Sequence, residues 1–395
     1  MEASMTRKPN ILVIMSDQHN HAKMGCAGDG LAMTPNLDRL AGSGVRFTNA
    51  YTGSPLCVPA RMSFLTTLFP NDNRVWSNSC WLASDIPTFA HSLGASGYET
   101  VLCGRMHIIG PDQKHGFEKR IFGDMTPMYP GGKGVNLGHI PGSTTGQLRE
   151  AVEISGAGTT SYIEYDNHVT AACTEWLDEK AQSSDTRPFC LVVGTMLPHC
   201  PFICPKDLYD YYYPRVEIPA VPEGYFETLH PAMQVWRKER GIIDLPEDAI
   251  RRARAAYYGL VTYLDRCVGR MLDALAASPF SDDTIVVYLS DHGEMAGEHG
   301  LWWKSTYFEG SVKVPMIWSW PGRFPEGVSV DSLVNLYDVG TTLIDTAGGY
   351  PLPFTRGRSF RKILEDGAGT DLAAPTYSEH YPRANVPASR MVRKG

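Results

Sequence analysis

The chain lacks any apolar run approaching the roughly 18 residues that span a bilayer, so no segment reads as a transmembrane helix. It also lacks basic excess. The formal net charge is −7, which argues against the basic face of a nucleic-acid binder and still leaves room for a local cationic pocket around a small anion. Cysteines are few and scattered, nine in 395 residues, and an odd number at such spacing excludes a secreted disulfide framework. No leader peptide is evident, because the short apolar run at 10–15 is followed by Asp17 rather than by a small-residue cleavage site. The expectation is a cytoplasmic protein with no membrane and no nucleic-acid partner, periplasmic or secreted if a leader was removed.

What is present is ordinary globular material, 43% hydrophobic and 20% charged, in a chain long enough to bury a substantial core. Residues 10–15, 98–103, 188–196 and 284–290 are short continuous apolar runs rich in branched side chains. That is the pattern of strands buried on both faces of a parallel sheet. Helical patterns lie between them at 34–41, 86–93, 162–181 and 249–277, the last with Tyr257, Leu260, Leu264 and Val268 at core spacing. The expected fold class is α/β, with a mostly parallel central sheet flanked by helices. The stretch 125–160 is rich in Gly, Pro and Ser and reads as a substrate-side loop or lid.

In an open α/β sheet the ligand crevice lies beyond the carboxyl ends of the strands. There the sequence places Asp17 and Gln18, then Gly104-Arg105-Met106-His107, then His199, then Asp291-His292-Gly293-Glu294. Taken singly, Asp17 is as readily a turn residue, each histidine a structural hydrogen-bonding group and Lys304 a surface charge. Placement at four strand ends makes them site candidates together. Cys200 and Cys204 beside His199 lack a matching second ligand pair, so zinc is not expected. In Cys57-Val58-Pro59-Ala60-Arg61, Pro59 suits a first helical position. Cys57 then stands at a helix N-terminus, which favours anions, with Arg61 one turn on.

Cys57-x-Pro59-x-Arg61, followed by Ser63, Leu65 and Thr66, resembles the signature of type I sulfatases of the alkaline phosphatase superfamily. In that family the cysteine is oxidised by a formylglycine-generating enzyme, and the hydrated aldehyde is the nucleophile. The block from Asp291-His292 through Gly297-Glu298-His299-Gly300 to Lys304 resembles the family's second major motif. The run Ile108-Ile109-Gly110-Pro111-Asp112 is similar to choline-sulfatase-like members. Arg105 is a departure, since the family commonly carries lysine there, and a flat guanidinium replaces a point charge.

The resemblance implies an alkaline-phosphatase-like fold, with a tail at 1–9, a catalytic domain over 10–375, and 376–395 as the start of a C-terminal segment that reads as truncated. It implies a metal site of Asp17, Gln18, Cys57, Asp291 and His292 for one divalent cation. Calcium is the first choice, with manganese or magnesium as alternatives because an imidazole is a less natural calcium ligand. It implies catalytic roles for Cys57, Arg61, His107, His199 and Lys304, and sulfate contacts for Asn78 and Arg105. The expected partner is a small-molecule or carbohydrate sulfate ester. A choline-type head group would draw on aromatic and acidic groups such as Trp76, Trp81, Tyr381 and Glu379, and ranks level with a sugar. A phosphonate monoester or phosphodiester hydrolase and an inactive anion-binding relative are the alternatives, a two-zinc phosphatase is disfavoured, and an oligomer is compatible with the sequence.

Overall fold

The structure, a computed structural model, describes residues 8–125, 146–369, 375–381 and 388–394. In chain order the strands are β1 (Asn10–Asp17), β2 (Val45–Tyr51), β3 (Glu99–Gly104), β4 (Lys119–Phe122), β5 (Gly156–Ala157), β6 (Phe189–Pro198), β7 (Ile203–Cys204), β8 (Thr284–Ser290), β9 (Met316–Ser319), β10 (Val328–Asn335), β11 (Thr376–His380) and β12 (Ser389–Arg393). Eight of them form one sheet in the order β10, β2, β9, β8, β1, β6, β3, β4, while β5 pairs with β7 and β11 with β12. All ladders of the large sheet are parallel except the two made by β9. The sheet is therefore mixed but mostly parallel, as the continuous apolar runs imply.

Strand alternation builds two cores. Ile11, Val13 and Met15 of β1 enter one, and Leu12 and Ile14 enter the other. On the Leu12 side the sheet is covered by α3 (Ser161–Gln182) and α4 (Glu247–Ala277), and α1 (Pro35–Gly42) adds Leu37 and Leu40 to that core; on the Ile11 side it is covered by α2 (Cys57–Thr66) and α5 (Leu336–Ala347). Tyr257, Leu260, Leu264 and Val268 of α4 are all fully buried, which fits the core spacing read from the sequence. Each such side chain contributes about 1.5–3 kcal/mol relative to exposure.

Two local expectations need correction. The helix expected over 86–93 runs instead over Phe89–Ala95, because Pro87 biases its predecessor to extended backbone and Thr88 serves as the N-cap, its N–H reaching His91 Nδ1 at 3.2 Å. Helix α2 begins at Cys57 itself, so Pro59 is its third residue rather than its first. The missing N–H of Pro59 still falls among the groups that a helix start leaves unpaired. Of the Gly-, Pro- and Ser-rich stretch, residues 126–145 lie outside the described residues. Among the described residues no helix is long and apolar enough to cross a membrane.

The parallel run β8, β1, β6, β3 has one consequence for chemistry. Its strands point the same way, so Asp291, Asp17, His199 and Arg105 all emerge at a single edge of the sheet.

Candidate active site

At that edge, α2 brings its first residue to the end of β1. Cys57 Sγ lies 3.9 Å from Asp17 Oδ1, 3.2 Å from His292 Nε2 and 3.2 Å from Lys304 Nζ. One ligand atom each from Asp17, Cys57, Asp291 and His292 falls within 4.8 Å of the others, and all four residues are buried. Two hard carboxylates, an imidazole and an oxidisable sulfur fit a divalent cation in coordination chemistry. Gln18 is at the same place, but its amide oxygen accepts from Lys304 Nζ at 2.7 Å and its amide nitrogen donates to Glu294 Oε2 at 2.5 Å.

Buried cations surround these carboxylates. Arg61, with no exposed surface, donates from Nε to Asp291 Oδ2 at 2.9 Å, from Nη2 to Asp17 Oδ2 at 3.2 Å and from Nη1 to the Arg105 carbonyl at 2.8 Å. Arg105 Nε donates to Asp17 Oδ2 at 2.6 Å, and its Nη2 stands 2.8 Å from His107 Nδ1. Burial alone would lift the Asp17 carboxyl, but Arg105, His199, Arg61 and Lys304 outweigh it and keep it well below the usual carboxylate range. The Cys57 thiol is likewise lowered: burial and Asp17 raise it, while Lys304 and a hydrogen bond from His199 prevail. Burial, reinforced by Arg105, pushes His107 well below its ordinary value and favours the neutral imidazole, whose Nδ1 accepts from Arg105 Nη2.

Lys304 links the strand ends on the other side, its Nζ standing 2.8 Å from His199 Nε2 as well as beside Cys57. His199 itself is held at the end of β6, where Asp166 of α3 accepts the N–H groups of Met196 at 2.7 Å and Leu197 at 2.9 Å. Asn78 Oδ1 accepts the Val58 N–H at 3.0 Å, which occupies a free donor in the first turn of α2. The structure thus gathers Asp17, Gln18, Cys57, Arg61, Arg105, His199, Asp291, His292 and Lys304 into one buried network, with His107 touching it through Arg105 and Asn78 through the backbone of α2.

Two residues in this network carry no role in the sequence reading. Asp124 accepts the His107 N–H at 2.9 Å and Arg120 Nη2 at 3.0 Å, holding His107 at a φ of 54°. Glu294 is fully buried behind Gln18. Its position three residues after Asp291 was the one available signal; nothing local marks Asp124.

A cavity of about 960 Å³ adjoins the site, lined among others by Leu56, Asn78, Trp236, Ser305, Tyr307 and Tyr381. The groups considered for a choline-type cage are not assembled there as a set. Glu379 is taken by Arg390, by the Asn71 N–H at 2.9 Å and by Tyr381 Oη at 3.3 Å, and Trp81 is 66% exposed outside the cavity lining. Trp76 and Tyr381 do meet, with ring centroids 6.3 Å apart.

The Sulfatase family model matches residues 9–350. A choline-sulfatase of Rhizobium meliloti is 36% identical over 99% of this chain and 77% of its own length. The iduronate 2-sulfatase of Homo sapiens is 30% identical over 81% of this chain, which spans 61% of that longer protein. Among solved structures, the phosphonate monoester hydrolase of Agrobacterium radiobacter superposes with a TM-score of 0.77 over 96% of this chain and 82% of its own, at 23% identity, a likeness of fold.

Proposed function

Because the chain belongs to the sulfatase family of sulfuric ester hydrolases, we propose that it cleaves a sulfate monoester of a small alcohol or a carbohydrate with residue 57 as nucleophile, after oxidation of Cys57 to formylglycine by a formylglycine-generating enzyme. The observation that carries this reading is the convergence of Asp17, Cys57, Asp291 and His292 at the N-terminus of α2. An unmodified thiol is poorly suited to the task, since transfer of the sulfuryl group to it leaves a stable S-sulfo adduct. The hydrated aldehyde has a second hydroxyl through which sulfate can be expelled.

A divalent cation, calcium in the first instance, would be held by Asp17, Asp291, His292 and residue 57, the Gln18 amide oxygen being turned to Lys304, and would supply positive charge against the ester's non-bridging oxygens. Arg61 and Arg105 hold the carboxylates in register, and Asn78 and Arg105 offer donors towards sulfate. One hydroxyl of residue 57 passes its proton to a carboxylate of the Asp17 and Asp291 cluster and attacks sulfur as the bond from sulfur to the alcohol oxygen breaks. Lys304, supported by His199, delivers a proton to the departing oxygen. His107 then removes the proton of the second hydroxyl, the bond between residue 57 and sulfate breaks, the aldehyde re-forms and water hydrates it. The adjoining cavity supports an organic half as large as a sugar ring.

The test is turnover by the matured protein of a sulfate monoester and a phosphodiester carrying the same leaving group. Preferred sulfate release is the expected outcome. Preferred phosphodiester cleavage would move the reading to the phosphonate-hydrolase class, and no turnover despite an oxidised residue 57 would contradict it.

A further inference from the structure

We propose that Glu294 is a positioning residue for this reaction, fixing the amide of Gln18 and, through it, the ammonium of Lys304. The inference rests on the sulfatase reading, in which Lys304 serves the leaving oxygen.

Glu294 follows Asp291-His292-Gly293 at the end of β8 and has no exposed surface. Its two oxygens do different things. Oε1 accepts the N–H groups of Ala296 at 2.7 Å and Trp303 at 2.6 Å, which closes the loop that delivers Lys304. Oε2 meets Gln18 Nε2 at 2.5 Å. At its other end the Gln18 amide presents Oε1 to Lys304 Nζ at 2.7 Å. An ammonium can only donate, so the amide oxygen must face Lys304 and the amide nitrogen must face Glu294. Between those two groups the amide has a single orientation. Lys304 in turn stands 3.2 Å from Cys57 Sγ and 2.8 Å from His199 Nε2. The order Glu294, Gln18, Lys304, residue 57 is thus a continuous buried chain of directed hydrogen bonds, in which each member has its direction set by its neighbour.

A loop-closing role alone needs only Oε1. Glu294→Gln separates the two roles, because its carbonyl oxygen can keep the Ala296 and Trp303 bonds while an NH₂ replaces the acceptor that faces Gln18. Two NH₂ groups then oppose each other, or the Gln18 amide flips and turns its donors on Lys304. Either arrangement displaces the ammonium from the leaving oxygen.

The experiment uses the full-length matured protein and a series of aryl sulfates whose leaving phenols span low to high pKa. Wild type, Glu294→Gln, Gln18→Ala and Lys304→Ala are compared, with thermal melts to show folding. Glu294→Gln is expected to lose at least tenfold more in kcat on the poorest leaving group than on the best, with KM changed less than threefold, in the same sense as Lys304→Ala. Gln18→Ala removes the link without touching the loop bonds and is expected to show the same selectivity, which keeps the test decisive if Glu294→Gln does not fold. A uniform loss across leaving groups in either linking variant, or no loss, overturns the inference while Lys304→Ala remains selective. Lys304→Ala without leaving-group selectivity, or a wild type silent on every ester, overturns the sulfatase reading and the inference with it.

Discussion

Arg61 donates from Nε to Asp291 Oδ2 at 2.9 Å with both side chains wholly shielded from water. The same guanidinium serves Asp17 at 3.2 Å, so one cation ties the ends of β1 and β8 to the helix that starts at Cys57. Arg61→Ala leaves two buried carboxylates without that partner and is expected to cost about 3–5 kcal/mol. Arg61→Lys cannot reproduce the fork and should recover little. Denaturant unfolding of the three proteins checks this; a loss under about 1 kcal/mol for Arg61→Ala would contradict the role, since that is what an exposed pair contributes.

Gly194 of β6 is packed directly beneath Arg105. A Cβ there would stand 1.6 Å from the Arg105 carbonyl oxygen, the same oxygen that accepts from Arg61 Nη1. Gly194→Ala is therefore expected to lower stability by roughly 1–3 kcal/mol, the usual cost of overpacking. It should also reduce sulfate ester turnover by displacing Arg105 from Asp17. Melting temperature and kcat/KM measured on one preparation check both effects, and a variant normal in each would refute the packing argument.

Asp166 supports β6 from α3. Burial lifts its carboxyl to about 7, against the lowering effect of the Met196 and Leu197 N–H groups. A carboxyl with a raised folded-state pKa contributes stability that is full below its ordinary value near 3.8 and is lost as pH rises through about 7. Asp166→Asn does not titrate and sets an NH₂ against one of those N–H groups, at a cost of about 1–3 kcal/mol. The gap in stability between wild type and variant should narrow between pH 5 and pH 8.5, as followed by thermal melts. A gap that widens over that range would have the wrong sign.

The cluster of Asp17, Asp291, His292 and residue 57 leads to a prediction about metal. A cation that binds only the folded protein raises its stability by about 2.7 kcal/mol at a hundredfold excess over Kd. Calcium or manganese is expected to raise the melting temperature and a chelator to reverse it, with Asp291→Ala abolishing the response. No response to any divalent ion would remove the metal from the account.

Much of this was legible in the sequence because parallel strands buried on both faces are continuous apolar runs, and the residues after them must fall at one edge of the sheet. Asp17, His199, Asp291 and Arg105 were found in that way. Helix starts were read less well: Pro59 marked the turn but not the first residue of α2, and Pro87 with Thr88 delayed the next helix. The partners of the site residues were the hardest to see. Glu294 and Asp124 act through hydrogen bonds to Gln18 and to the His107 backbone, contacts that only the folded chain brings about. The direction of Arg61 was also hidden, since sequence spacing places it near Cys57 without revealing that its donors go to Asp17, Asp291 and the Arg105 carbonyl.

The most direct measurement is the mass of the tryptic peptide spanning residues 47–61, from protein produced with and without a formylglycine-generating enzyme and alkylated at its thiols. Co-production is expected to yield a lighter, unalkylated, aldehyde-reactive peptide, with sulfate ester turnover rising in proportion to it. A residue 57 that remains an alkylated cysteine in the presence of the maturation enzyme, in protein that still releases sulfate, would contradict the formylglycine nucleophile.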